Sequence, residues 1–255
     1  MITVIKIGGN VINNPANLHN FLIDFTKIPG KKILVHGGGK EATELSDKLG
    51  IKTTLIEGRR ITGLETINVV TMVYAGLINK RIVAELQALG CDAIGLSGAD
   101  ANVIPAIKRS STPVDYGFVG DIYPESINVK FIDILFKNAI VPVFCAICHD
   151  NHGQLLNCNA DSVASSIAMA CSAIDKVNLI YCFEKSGILI NIDDENSLIP
   201  TITQDEFDHL KATGVISKGM IPKVENSLNA VRKGVSEVRI CKAENLLSGE
   251  GTLIL

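Results

Sequence analysis

The 255-residue sequence has no basic block, and its formal charge is −3. Nucleic acid as main partner is therefore disfavoured, because binding to a phosphate backbone rests on clustered Lys and Arg. No stretch reaches the roughly 18 uninterrupted apolar residues of a membrane span, so no membrane partner is expected. The opening Met1-Ile2-Thr3-Val4-Ile5-Lys6 reads as a strand without the layout of an export signal, and the expected location is cytoplasmic. The seven cysteines are an odd number and mostly lie in apolar runs (Cys91, Cys158, Cys171, Cys182), which favours buried reduced thiols over disulfides. There is no Gly-x4-Gly-Lys-Ser/Thr sequence, which excludes a Walker A loop. Gly-x-Gly-x-x-Gly is also missing, which weakens a dinucleotide reading.

Hydrophobic residues make up 47% of the chain and charged residues 20%, enough for a large buried core. Short β-branched runs alternate with longer helical patterns. Strands are expected at 2–7, 32–36, 92–96, 140–147, 176–182, 188–190 and 237–241, with β-hairpins within 103–123. Helices are expected at 15–27 behind the cap Asn14, at 40–48, as one long element over 64–89, at 126–138 capped by Ser126, and at 160–172, 203–212 and 217–233. Strand–helix alternation predicts an α/β fold, a three-layer αβα sandwich with a mainly parallel, open central sheet. Ligands then sit at the carboxyl ends of the strands. The pattern restarts near 172–176, which suggests two lobes, 1–172 and 173–255. Cys145-Ala-Ile-Cys148-His149 matches the pattern for covalent haem attachment, and a zinc site completed by His152 is conceivable. With no export signal and no second Cys-x-x-Cys pair, a buried strand followed by a turn is the favoured reading, and no metal site is expected.

Two glycine loops follow expected strands: Lys6-Ile7-Gly8-Gly9-Asn10 and His36-Gly37-Gly38-Gly39-Lys40. Glycine permits positive φ and close backbone approach, and free N–H groups near a helix start can bind phosphate or carboxylate oxygens. Such loops are as often only tight turns. Lys6, at the boundary of an apolar strand, needs a partner, and a phosphate would be one. Asn157-Cys158-Asn159-Ala160-Asp161 lies at a strand–helix junction. There Asn159 reads as an N-cap and Asp161 as a favourable first-turn acid. Amides two residues apart can also point to one ligand, and Asp161 can orient cationic groups. In Gly58-Arg59-Arg60-Ile61-Thr62 an arginine caps or forms a salt bridge, or its planar fork grips a carboxylate. Lys223, in Ser217-Lys218-Gly219-Met220-Ile221-Pro222-Lys223, is by default a solvated helix lysine.

In this order and spacing the five motifs, running from Lys6 to Lys223, resemble the amino-acid kinase superfamily and most closely its N-acetylglutamate kinases. The resemblance implies transfer of the γ-phosphoryl group of ATP to the side-chain carboxylate of N-acetyl-L-glutamate, giving an acyl phosphate in arginine biosynthesis. ATP would be used as MgATP, with Mg2+ held mainly by the phosphates. Lys6 and Lys223 would flank the phosphoryl group, Asp161 would hold the two lysines, and Gly9 and Gly38 would donate N–H groups. Gly38, Gly39, Arg60, Asn157 and Asn159 would form the acceptor site, with Arg60 on the α-carboxylate, in an N-terminal lobe that also dimerises. ATP would occupy the C-terminal lobe around Glu184, Lys185, Ser186, Gly187, Ile188, Leu189, Val215, Ile216 and Ser217. Two stretches depart from the family pattern. Ser97-Gly98-Ala99-Asp100 carries alanine where many relatives have lysine, and Tyr181 to Gly187 replaces a Leu-Thr-Asp-type run. N-succinyl-L-glutamate, or another carboxylate or carbamate acceptor, is therefore the alternative. A chain that starts directly on its first strand implies an arginine-insensitive homodimer.

Overall fold

The computed structural model describes residues 1–56, 58–191, 193–216 and 220–255. They form two compact units, one of residues 1–32 with 164–255 and the other of residues 33–163. The division is thus not a single cut near 172. The strand Ile2–Ile7 belongs with the C-terminal residues because its hydrogen-bonding partner is Val177–Phe183.

In the first unit the strands run in the order Thr201–Ile202, Thr252–Ile254, Glu237–Lys242, Val177–Phe183, Ile2–Ile7. Neighbours are parallel except Glu237–Lys242 with Thr252–Ile254. Every residue of Ile2–Ile7 is buried, which is why it reads as a continuous apolar run rather than an alternation. The helix Pro15–Lys27 turns Leu18, Phe21, Leu22 and Phe25 inward, a stripe of helical spacing. Its start is set by Asn14, whose Oδ1 accepts from Ala16 N at 3.0 Å and Asn17 N at 3.1 Å. Asn14→Ala is expected to cost about 1 kcal/mol of stability, seen as a lower denaturation midpoint with an unchanged slope.

The strand Lys31–His36 leads into the second unit, where Val141–Cys145 and then Ala93–Leu96 follow in parallel. Three antiparallel hairpins join them: Leu55–Ile56 with Arg59–Arg60, Ala106–Lys108 with Gly120–Ile122, and Ile147–His149 with Leu155–Asn157. The long helix spans Leu64–Ala88, close to the expected length, but its middle, Met72–Ile78, is π-helical. Its i→i+5 hydrogen bonding links residues five apart, as the Asn79 N–H does in donating to Tyr74 O. By length and composition this helix could cross a bilayer, yet its second half packs on the strands Ala93–Leu96 and Val141–Cys145 as a core helix does.

Parallel strands covered by helices are the expected α/β architecture. Three local expectations need correction. The helix after residue 126 is Val129–Lys137, capped by Asn128 Oδ1 on Phe131 N at 3.2 Å, while the Ser126 hydroxyl donates to Tyr123 O. Residues 188–190 form no strand beyond one bridge, Leu189 to Leu198. The last long helix is Ile221–Arg232, and residues 217–219 lie outside those described.

Candidate active site

In the second unit, Gly38, Gly39, Arg60, Asn157 and Asn159 line one cavity of about 410 Å³. Arg60 is only 9% exposed, and three of its five N–H donors are committed. Nη1 donates to Thr53 Oγ1 at 3.1 Å, and Nη2 donates to Gly39 O and Thr43 Oγ1, both at 2.8 Å. A guanidinium held this firmly keeps a fixed donor geometry for a carboxylate. The Thr62 hydroxyl donates to Arg60 O at 3.0 Å and accepts from Asn157 Nδ2 at 3.1 Å, so one side chain fixes both residues. Asn159 is the N-cap expected, its Oδ1 accepting from Asp161 N at 2.8 Å and Ser162 N at 3.1 Å. Its oxygen is spent on the helix, which leaves Nδ2 as the group it can offer a ligand. Asp161 stands in the first turn of the helix Ala160–Cys171. Arg109 also lines the cavity, but its Nε donates to both oxygens of Asp121, at 3.1 and 3.0 Å.

The glycine loop of this cavity is backed by the long helix. A Cβ on Gly38 would lie 2.3 Å from Ile78 Cδ1 and 2.8 Å from Tyr74 Cδ1, so only glycine fits. Below the loop His36 is fully buried. Burial lowers its pKa from 6.5 to about 4; a hydrogen bond to Gly37 opposes this, and the charges of Arg81 and Lys80 reinforce it. The ring is therefore neutral at neutral pH.

In the first unit, Lys6 and Lys223 come from opposite ends of the chain to one aromatic ring. Lys6 Nζ lies 4.8 Å and Lys223 Nζ 3.6 Å from the ring centroid of Phe183. Both lysines line a cavity of about 360 Å³ with Gly8, Gly9 and Glu184. Gly8 N–H donates to Cys182 O at 3.1 Å, and Gly9–Ile12 forms a helical turn. Neither Gly8 nor Gly9 has a positive φ, and a Cβ added at either would meet the chain only at ordinary contact distance, 3.4 Å from Cys182 O for Gly8 and 3.6 Å from Asn13 Nδ2 for Gly9. Two ammonium groups thus reach one cavity, and a ligand with several anionic oxygens would suit it.

A second cavity of about 360 Å³ shares Lys185, Gly187 and Met220 with the first and adds Ile188, Leu189, Val215 and Ile216. The two cavities thus share part of their lining, with Lys6, Lys223 and Glu184 around the first and mainly aliphatic side chains around the second. Gly187 is required by close approach, since a Cβ there would stand 2.6 Å from Thr252 Oγ1 and 2.9 Å from Thr252 N. Ser186 turns aside and donates to Glu195 Oε2 at 2.8 Å. Glu195 also meets Lys185 Nζ at 3.2 Å and Lys242 Nζ at 3.6 Å. These contacts, led by Ser186, lower the pKa of Glu195 to about 2. Ser217 lies outside the described residues.

Sequence reasoning missed Phe183, Tyr74, Thr43 and Thr62. Phe183 ends an apolar strand and looks like core. Its one signal is its place directly before Glu184 and Lys185. Cys145 and Cys148 are both fully buried. Contact with Cys158, together with burial, pushes the Cys148 pKa well above 9. His149 Nε2 pairs with Asn102 Oδ1 at 2.8 Å.

Fold and cavities together describe an α/β protein that handles carboxylate and phosphate-like anions. The model of the Amino acid kinase family matches residues 1–242, and the chain belongs to that family. It is 50% identical over 253 residues to the acetylglutamate kinase of Phocaeicola vulgatus, covering 99% of this chain and 98% of that one. It is 52% identical over 245 residues to the acetylglutamate kinase of Cytophaga hutchinsonii, covering 96% and 92%. Among solved structures, smu.665 from Streptococcus mutans UA159 matches with a TM-score of 0.79 and 28% identity, covering 99% of this chain and 98% of that one.

Proposed function

We propose that this protein transfers the γ-phosphoryl group of ATP to the side-chain carboxylate of N-acetyl-L-glutamate, producing an acyl phosphate for arginine biosynthesis. The observation that carries the reading is the convergence of Lys6 and Lys223 on the Phe183 ring beside Gly8 and Gly9. Phosphoryl transfer is catalysed mainly by positioning and charge neutralisation, and this cavity supplies both. Half-identity to acetylglutamate kinases over nearly full length supports the acceptor.

Lys6 and Lys223 neutralise the phosphoryl oxygens. Gly9 and Gly38 offer backbone N–H groups to the reacting oxygens. Asp161 has an electrostatic task rather than that of a base, because a carboxylate nucleophile is already ionised. The compartment lined by Ile188, Leu189, Val215 and Ile216 takes the nucleoside, and Glu184, Lys185 and Gly187 lie toward the phosphates. Mg2+ arrives as MgATP, held by the phosphates, and adds charge neutralisation to that of the lysines. Arg60 grips the α-carboxylate, and Gly39, Asn157 and Asn159 complete the acceptor pocket. Arg60→Ala is accordingly expected to raise KM for the acceptor at least tenfold, the order of one charge-assisted contact, with KM for ATP unchanged. A shift confined to ATP would remove the assignment.

The test is an acceptor panel: MgATP with N-acetylglutamate, N-succinylglutamate, glutamate, aspartate or carbamate, the acyl phosphate being trapped by hydroxylamine. N-acetylglutamate is expected to give the most product. Preference for another acceptor would correct the substrate, and no product at all would end the kinase reading. A homodimer in a cytoplasmic setting completes the proposal. Leu64, Met72 and Leu77, more than half exposed on the long helix, offer an apolar face for it. A monomer in a sizing measurement would overturn that part.

A further inference from the structure

We propose that His36 and Asn79 form a positioning pair that fixes the direction of the Gly38 N–H in the acceptor cavity, so that phosphoryl transfer depends on two residues that touch neither substrate. The inference rests on the transfer reading above and adds to it the groups that hold the loop.

The proton inventory closes. Asn79 Nδ2 lies 3.0 Å from Val143 O, which can only accept, and Asn79 Oδ1 accepts from Lys80 Nζ at 3.2 Å. Those two partners set the amide orientation. The second Nδ2 hydrogen then points at His36 Nε2, 3.0 Å away, so Nε2 carries no proton. On the other side of the ring Nδ1 lies 2.8 Å from Gly37 O, again a pure acceptor, so Nδ1 carries the proton. His36 is a neutral Nδ1–H tautomer with both nitrogens used. The two side chains are 0% and 1% exposed, so no water competes for these bonds.

Gly37 O belongs to the peptide that joins Gly37 to Gly38. In a trans peptide the C=O and N–H point in opposite directions. Drawing the oxygen back onto the buried ring turns the Gly38 N–H away from it, and Gly38 lines the cavity. Among the described residues no acceptor is assigned to that N–H. A Gly-Gly peptide is otherwise the most freely rotating in a chain, so the orientation needs an outside constraint. The molecule keeps space for it. A Cβ on Gly95 would fall 1.9 Å from Asn79 Oδ1. The π-helical stretch Met72–Ile78 leads directly into Asn79, and such turns often mark functional positions.

Two substitutions separate the links. In His36→Asn the amide nitrogen can stand near the position of Nδ1 and still donate to Gly37 O. In His36→Gln a polar atom reaches the position of Nε2, but the donor to Gly37 is lost. We expect His36→Gln to lower kcat at least about tenfold with KM for ATP unchanged, and His36→Asn to stay within about threefold, the loss following one misdirected donor. Equal losses in the two variants, or no loss in either, would overturn the pair. A second measurement needs no turnover: a long-range 1H–15N correlation on the full chain with labelled histidine, His36 being assigned by its disappearance in His36→Gln. The expected form at neutral pH is Nδ1–H with a bare Nε2. An Nε2–H tautomer or an imidazolium would refute the proposal even if the enzyme is active. A wild type that phosphorylates no acceptor would instead refute the transfer reading and leave the tautomer to decide the pair.

Discussion

Lys223→Ala, and separately Lys6→Ala, is expected to lower kcat by on the order of 10²–10³, the effect of removing one preorganised group that stabilises transition-state charge. Each ammonium lies close to the Phe183 ring in a cavity that also holds Gly8 and Gly9. Lower kcat with retained stability is the signature that separates a reaction-centre lysine from a packing lysine. The double variant should lose less than the product of the single effects, because two groups on one phosphate act as a unit. Hydroxamate trapping at saturating MgATP reads all three variants. Turnover at the wild-type level in either single variant would remove that lysine from the reaction.

The parts legible in the sequence are those with local causes. Asn14 before Pro15 announced a helix start, and the structure puts the cap there. The continuous apolar run at Ile2–Ile7 announced a doubly covered strand. Glycine loops after strands were visible because glycine is the residue that lets a backbone come close. Asn128 and Ser126 are both good cappers two positions apart, and only the direction in which the chain arrives decides between them. Composition and periodicity could not reveal partners far away in sequence. Nothing local says that Asn79 will meet His36 or that Phe183 will receive lysines from both ends of the chain. The partition into units depends on a parallel pairing between Ile2–Ile7 and Val177–Phe183, which no neighbouring residue encodes.

Gly38→Ala is expected to lower kcat by about 10² or more and stability by about 1–3 kcal/mol, the usual cost of forcing a methyl group into a close-packed site. The added Cβ would lie 2.3 Å from Ile78 Cδ1 and 2.8 Å from Tyr74 Cδ1. Ile78 is fully buried and Tyr74 nearly so, in the middle of a long helix that packs on a sheet. Neither can step aside without a neighbour moving, so the loop moves instead. The shift carries Gly39 with it, whose carbonyl accepts from Arg60 Nη2 at 2.8 Å. The carboxylate grip and the N–H donor are then displaced together, and KM for the acceptor should rise as kcat falls. KM for ATP should hold, because Gly38 lines the acceptor cavity and not the one assigned to the nucleoside. Gly50→Ala is the control. Gly50 has a φ of +70° but no atom within 4 Å of an added Cβ, so it carries only the backbone penalty of about 1–2 kcal/mol for a left-handed alanine, with activity retained. Should Gly38→Ala keep its turnover within about threefold of wild type, the long helix would not be holding the loop in its working shape, and the N–H donor assigned to Gly38 would have to be sought elsewhere.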